Sequence, residues 1–240
     1  MVYDTPISII IPMYNEADNV EFFITETHNS LKELSLTIEI IVINDGSTDK
    51  TPEELNILLN TIPALKIINH AHNFGQSAAI LSGIRAAKHP WIITMDGDAQ
   101  NDPNDIPLLL EQLKTHHNGP LLIVGNRINR CGSRIRKLSS RIANGIRQQL
   151  LHDDCMDTGC SLKLFSRDVF LQLPHFNHMH RFLPALIKRA GGRVINVPVN
   201  HRPRTRGTSK YGVTNRLWVG IVDLFGVKWL LSRGCEPKSK

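Results

Sequence analysis

The fold turns on one stretch, Trp91-Ile92-Ile93-Thr94-Met95-Asp96-Gly97-Asp98-Ala99-Gln100. The apolar, β-branched run at its start predicts a short buried strand, and the strand ends in two carboxylates one residue apart. Carboxylates so placed can converge on one hard cation. Mg2+ and Mn2+ prefer oxygen ligands and commonly bridge them to a diphosphate, and the Gln100 amide oxygen would complete the protein side. The same aspartates also read as turn formers that cap the next helix, with Asp102-Pro103 as the turn. A bare Asp-x-Asp leaves both readings open.

The neighbouring segments favour the first reading. Strand-like runs recur at Ile7–Ile11, Ile38–Ile43, Leu65–Ile68 and Leu121–Val124, separated by helix-like spacing over Val20–Leu34, Pro52–Leu59, Ser77–Ala87 and Ile106–Leu113. Such alternation predicts an α/β chain with a mostly parallel central sheet and helices on both faces. Thr51-Pro52-Glu53-Glu54 reads as a capping box with proline at the first helical position. Tyr14-Asn15-Glu16, Asp45-Gly46-Ser47, Asn73-Phe74-Gly75-Gln76 and Asp96-Gly97-Asp98 each follow one of the first four strands. All four therefore fall at carboxyl ends of parallel strands, where open α/β sheets bind ligands. Asp45 in its turn can accept hydrogen bonds from a base or ribose, or merely close the turn. No Gly-x-Gly-x-x-Gly follows the first strand and no P-loop occurs, which removes the main support for a dinucleotide dehydrogenase or a P-loop enzyme.

With 240 residues, 41% apolar and 21% charged, the chain has the balance of a soluble globular protein. Its net charge of +6 is unevenly spread, at −11 over residues 1–111 and +17 over 112–240. No acid occurs from Gln112 to His152 or from Val169 to Val222. That asymmetry points to an anionic partner: phosphates, a membrane surface or nucleic acid. Aromatic residues are only 6% and do not interleave the basic runs, so base stacking lacks support and no nucleic-acid partner is expected. Cys131, Cys155, Cys160 and Cys235 show no paired spacing, which fits a reducing, cytoplasmic location without a disulfide framework. His175, His178 and His180 fit no standard zinc spacing.

Ile7–Met13 has no basic leader and contains Pro12, so it reads as a strand and not as a signal peptide. Leu217–Leu231 is apolar but interrupted by Asp223 and Lys228. Its 15 residues span roughly 22 Å as a helix, short of a ~30 Å hydrocarbon core. The segment reads as an amphipathic interfacial helix with Trp218 and Trp229 at headgroup depth, or as a helix packed on the domain. The expected division is a domain over residues 1–215 and a membrane-interface segment over 216–240.

Pro12-Met13-Tyr14-Asn15-Glu16, Asp45-Gly46-Ser47-Thr48-Asp49 and Asp96-Gly97-Asp98-Ala99-Gln100 together resemble inverting nucleotide-sugar glycosyltransferases of the GT-A fold, family 2. Gly125-Asn126-Arg127, the run Asp157–Phe165, the run His180–Leu186 and the run Arg204–Tyr211 are similar to the polyprenyl-phosphate branch, which includes dolichol-phosphate mannosyltransferase. The resemblance runs from about Pro6 to about Leu231. It implies that Pro12, Tyr14, Glu16 and Gln76 line the nucleotide-sugar pocket, with Asp45 on the base or ribose. Asp96, Asp98 and Gln100 would hold Mg2+ or Mn2+ against the diphosphate of a GDP- or UDP-sugar. Arg204, Ser209 and Lys210 would clamp that diphosphate, while Arg127, Arg136 and Ser140 would receive the phosphate of a polyprenyl acceptor. Asp98, Arg127 and Asp157 would carry the chemistry, Asp157 by orienting the acceptor or as a base, unless it is a turn residue. The implied setting is the cytoplasmic membrane face, with peripheral attachment through the C-terminal segment or a separate membrane anchor protein. A saccharide acceptor is the alternative within the fold, and a basic nucleic-acid-binding protein is the alternative outside it.

Overall fold

The computed structural model describes residues 5–32, 34, 36–114, 119–128, 144–204 and 213–233, with side chains from residue 219 onward in the last segment. Seven strands form one sheet in the order β3-β2-β1-β4-β6-β5-β7. They are β1 (Ile7–Met13), β2 (Ile38–Asn44), β3 (Leu65–Asn69), β4 (Trp91–Thr94), β5 (Leu121–Arg127), β6 (Lys163–Ser166) and β7 (Arg193–Val199). Every described pairing is parallel except those of β6, which runs antiparallel between β4 and β5.

The helices are α1 (Ala17–Lys32), α2 (Thr51–Leu59), α3 (Gln76–Ala86), α4 (Ile106–Lys114), α5 (144–151), α6 (Arg167–Gln172), α7 (Leu183–Arg189) and α8 (Val213–Ser232). Alternate β1 side chains sort them into two layers. Ile7, Ile9 and Ile11 pack with Phe23 and Ile24 of α1, Leu55 of α2 and Leu109 of α4. Ile10 faces the other way, with Ile80 and Ile84 of α3, Phe170 of α6 and Leu186 of α7. Isoleucine on both faces of β1 and β2 is what a strand covered on both sides requires. On α3, a Cβ at Gly83 would lie 2.7 Å from side-chain carbons of Ile10 and Ile43, so glycine lets this helix sit down on the sheet.

At the amino-terminal end of the sheet a buried carboxylate ties three strands. Glu39 of β2 accepts from Ser8 Oγ of β1 at 2.5 Å and pairs with Lys66 of β3; the Lys88 amide also donates to it at 2.6 Å. Burial alone would raise its pKa, but Lys66, Ser8 and the Lys88 amide bring it below the ordinary carboxylate value.

One local expectation changes. The capping box at Thr51 does not form: Lys50 is the N-cap without a side-chain bond, and Asp49 Oδ1 accepts from the Thr51 amide at 3.0 Å. Thr51 Oγ1 instead accepts from the Glu16 amide at 2.9 Å, which ties the loop after β1 to the start of α2. The expected C-terminal helix is present. Val227 packs inward with Leu151, Phe182 and Ala185, while Val222, Phe225 and Trp229 lie more than 60% exposed. Its polar interruptions face protein: Asp223 pairs with His178 at 2.9 Å and Lys228 donates to the Leu150 carbonyl at 2.8 Å. No described helix is long and apolar enough to cross a membrane.

Candidate active site

The carboxyl ends of β1, β2 and β4 adjoin, because β1 lies between β2 and β4 in the sheet. The chain visits β2 and β3 on one side of β1 and then crosses to β4 on the other, which makes this a topological switch point. Hydrogen bonds between loops shape the cleft there. Asn15, at φ 51°, donates its amide to Ser47 Oγ (2.8 Å), and its side-chain oxygen accepts from the Thr48 amide (2.6 Å). Tyr14 and Glu16 flank it, half-buried, and Pro12 is the penultimate residue of β1.

Asp45 is buried and turned toward the protein. It accepts from the Phe74 amide (3.0 Å) and the Gly75 amide (2.8 Å) and pairs with His70 Nδ1 (2.7 Å). Its described bonds therefore hold the β3–α3 loop, on which Phe74 stands half exposed against the His72 ring. Gly46, at φ 69°, allows that loop to close over the turn: an added Cβ would strike the His72 backbone and lie 2.6 Å from the Asn73 nitrogen. Gly46→Ala is expected to cost about 1–3 kcal/mol in urea unfolding, from strain alone.

Asp96 follows β4. It accepts from Gln76 Nε2 at 2.7 Å, and its amide donates to Asn101 Oδ1 at 3.0 Å. Gly97 is confined beneath the turn, since a Cβ there would lie 2.5 Å from Met13 Cγ and 3.0 Å from the Pro12 carbonyl oxygen. Asp98 accepts from the Gln100 amide at 3.2 Å. Burial and the Asp98 charge push the Asp96 carboxyl up to about 6. The Asp98 carboxyl is raised too, chiefly by burial, with Glu16 adding to this and the Gln100 amide and Arg204 opposing it.

The donor set fits a hard divalent cation. Two carboxylates and the Gln100 amide oxygen are all-oxygen ligands, and Gln100 Nε2 is directed to the Arg202 carbonyl at 3.4 Å. Among the described residues no group of three or more His, Cys, Asp or Glu forms a metal site, so ligand oxygens would have to complete the shell.

The segment after β7 folds back over this turn. The Arg202 amide donates to the Gln100 carbonyl at 3.0 Å, and the Arg202 guanidinium pairs with Glu26 and Asp102, each at 2.7 Å. Arg204 is thereby placed between Glu16 (2.7 Å) and Asp98 (3.7 Å). Arg136, Ser140, Ser209 and Lys210 lie outside the described residues.

On the other flank, Arg127 ends β5 and forms a two-pronged ion pair with Asp157 at 2.6 and 2.9 Å. Burial works against the Arg127 charge, but the Asp157 contacts raise its pKa above the ordinary value. Asp157 is held by the segment that turns into β6. Arg147, though part of the basic stretch, is buried; it donates to the Cys155 carbonyl and pairs with Asp153 at 2.9 Å, so it organises this turn. Cys155 and Cys160 lie in the same turn, and burial pushes both thiols up to about 11, which leaves them unreactive near neutrality.

Lys163 and Ser161 belong to the site as well, although the sequence does not single them out. Lys163, 4% exposed, donates to the Cys160 carbonyl, and Ser161 Oγ donates to Asn101 Oδ1 at 2.6 Å. Together with Gln76, Asp96 and His180 they line a small, partly open cavity. The three neighbouring histidines go separate ways: His180 Nδ1 meets Ser77 Oγ at 2.7 Å, His178 meets Asp223, and His175 Nε2 meets the Phe170 carbonyl at 3.3 Å. Burial, and then Lys163, Arg181 and His178, hold His180 well below the usual imidazole range, hence neutral.

Comparison with known proteins places this arrangement. Residues 8–173 match Glycosyl transferase family 2. The chain is 33% identical over 240 residues to dodecaprenyl-phosphate galacturonate synthase of Rhizobium johnstonii, covering 98% of this chain and 70% of that protein. It is 31% identical to undecaprenyl-phosphate 4-deoxy-4-formamido-L-arabinose transferase of Edwardsiella ictaluri, covering 86% of this chain and 63% of the relative. The chain thus spans less than two thirds of the latter relative's length. Glucosyl-3-phosphoglycerate synthase from Mycobacterium tuberculosis, solved with Mn2+, UDP and glucosyl-3-phosphoglycerate, superposes with a TM-score of 0.66 at 20% identity over 98% of this chain and 82% of that one. The mannosyltransferase PcManGT from Pyrobaculum calidifontis, solved with GDP-Man and Mn2+, superposes at 0.67 with 21% identity over 98% and 66%. A family match over most of the sheet, paired acids at its switch point and this likeness in fold agree: the chain belongs to glycosyl transferase family 2, with the GT-A fold.

Proposed function

We propose that this protein moves a sugar from a nucleotide-sugar donor to a polyprenyl phosphate, with inversion and with a divalent metal, at the cytoplasmic face of a membrane. The observation that carries the reading is an acidic pair with an arginine charge reaching each member, Arg204 at 3.7 Å from Asp98 and Arg127 through its field on Asp96. Two polyanions, a donor diphosphate and an acceptor phosphate, need such a division of charge to approach each other. Both curated relatives described above are named for sugar transfer or synthesis on a prenyl phosphate.

In this mechanism an acceptor phosphate oxygen attacks the anomeric carbon from the face opposite the leaving group. A carbon–oxygen bond forms there as the bond to the nucleoside diphosphate breaks. The acceptor is already ionised near neutrality, with a second pKa of about 6, and needs orientation more than deprotonation. Asp157 suits orientation, because both its oxygens are engaged by Arg127. Pro12, Tyr14, Glu16 and the Asp45-held loop wall the nucleotide, and Gln76 holds Asp96 in place. A cation on Asp96, Asp98 and Gln100 would neutralise the departing diphosphate. Arg136 and Ser140 would add to the acceptor site, and Ser209 and Lys210 to the donor clamp.

The exposed Val222, Phe225 and Trp229 stripe of α8, with Arg233 5.9 Å from the Trp229 ring centre, suits a helix lying in the membrane interface. Residues 216–240 would then be the attachment segment of a transferase domain over 1–215, alone or with a separate anchor protein.

The test is transfer to a short polyprenyl phosphate across a panel of GDP- and UDP-sugars with Mn2+ or Mg2+. A lipid-linked product from one donor, lost with EDTA, is expected. Transfer from none of the donors overturns the acceptor assignment, and transfer that persists in EDTA overturns the metal requirement.

A further inference from the structure

Arg204 and a divalent cation have the same claim on Asp98. Arg204 Nη2 lies 2.7 Å from Glu16 Oε1 and 3.7 Å from Asp98 Oδ2. Glu16 is braced from behind, its Oε2 accepting from Asn19 Nδ2 at 2.7 Å. The Arg204 backbone is anchored as well, through the Arg202 amide on the Gln100 carbonyl and the Arg202 pairs to Glu26 and Asp102. The guanidinium is nevertheless only partly satisfied: Nε is buried without a hydrogen-bond partner among the described residues. A buried donor left unpaired is costly unless a ligand engages it.

We propose that Arg204 is the resident counter-cation of Asp98 and Glu16, and that it leaves Asp98 when a divalent cation and a donor diphosphate enter together. One guanidinium there offsets two carboxylates. A divalent ion on Asp98 would sit beside that guanidinium, and like charges so close in a partly buried cleft repel. Binding of metal alone is therefore opposed by Arg204. A diphosphate removes the conflict by offering Arg204 new acceptors, at the unpaired Nε and at the Nη2 hydrogen not given to Glu16, while Glu16 keeps its bond to the other. Metal and nucleotide are then coupled, each binding better when the other is present. This inference rests on the metal-dependent reading above and adds the order in which charges exchange.

The experiment is an EPR titration of free Mn2+ into the full chain, with and without UDP and GDP, for the wild type, Arg204→Gln, Arg204→Ala and Arg204→Lys. Without nucleotide, the neutral variants are expected to bind Mn2+ about fivefold more tightly than wild type, the worth of one partly exposed ion pair. Arg204→Lys keeps the charge and should stay close to wild type. With Mn2+ saturating, the neutral variants should bind the nucleoside diphosphate at least about tenfold more weakly, as expected for a lost charge-assisted hydrogen bond. Equal or weaker Mn2+ binding by the neutral variants overturns the exchange but leaves the metal requirement standing. Absence of Mn2+ binding in all four proteins, together with transfer that persists in EDTA, removes the metal requirement itself.

Discussion

Asp96→Asn is expected to reduce sugar transfer by about 10³-fold or more and, at the same time, to raise the melting temperature of the metal-free protein. The loss follows from removing one of the two carboxylates that would hold the cation against the developing diphosphate charge, an effect worth several kcal/mol, roughly 4 for a factor of 10³. The gain follows from the raised pKa of Asp96, about 6 against an ordinary 3.8. A carboxyl whose folded pKa exceeds its unfolded one binds more protons when folded, so stability declines as pH rises between the two values. Below about pH 4 the carboxyl is neutral in both states, and variant and wild type should melt alike. Between about pH 4 and 6 the variant should pull ahead, and above pH 6 the gap should stay constant. A gain on the order of 1 kcal/mol corresponds to roughly 2–4 °C for a chain of this size. Gln76 Nε2 retains an acceptor in the amide, so the variant keeps that contact. Millimolar Mn2+ should then stabilise the wild type and leave the variant unchanged. A variant that melts below wild type at neutral pH would contradict the account of Asp96 as an acid held against its preference.

Arg127→Ala should cost a few kcal/mol in stability, about 2–3, because Asp157, 4% exposed, loses its two-pronged partner. A paired replacement, Arg127→Met with Asp157→Leu, removes both charges and should recover most of that loss in urea unfolding. Transfer should remain abolished in the paired variant, since an apolar wall cannot receive or orient a phosphate. Recovery of stability without recovery of transfer separates the functional role of the pair from its structural one. Transfer by the paired variant would remove Arg127 and Asp157 from the chemistry.

Several features stand in the sequence without any structure. Unbroken apolar, β-branched runs at Ile9–Ile11 and Ile40–Ile43 specify strands covered on both faces, since no half-exposed strand tolerates them. Polar clusters directly after four such strands place the cleft, and Asp96 and Asp98 mark its acidic centre. The strand β6 is not legible in this way. It has four residues, opens with buried Lys163 and runs against its neighbours, so neither length nor periodicity announces it. Yet its antiparallel entry delivers Lys163 opposite Thr94 and Val124, and brings the preceding turn with Asp157 to the end of β5.

The same division runs through the charges. The family resemblance implies phosphate contacts for Arg127 and Arg204, and in the sequence Glu16 and Asp157 belong to separate motifs. In the fold, Arg127 meets Asp157 across 30 residues and Arg204 meets Glu16 across 188. Thr51 likewise leaves its own helix end to serve the Glu16 amide. Local pattern determines which backbone segments become strands and helices, because burial repeats every two or 3.6 residues within the segment itself. It also places the ligand cleft, because that follows from chain direction in a parallel sheet. The partner of a given charge is set by strand order and loop closure, which are properties of the whole chain, and only the tertiary structure decides them.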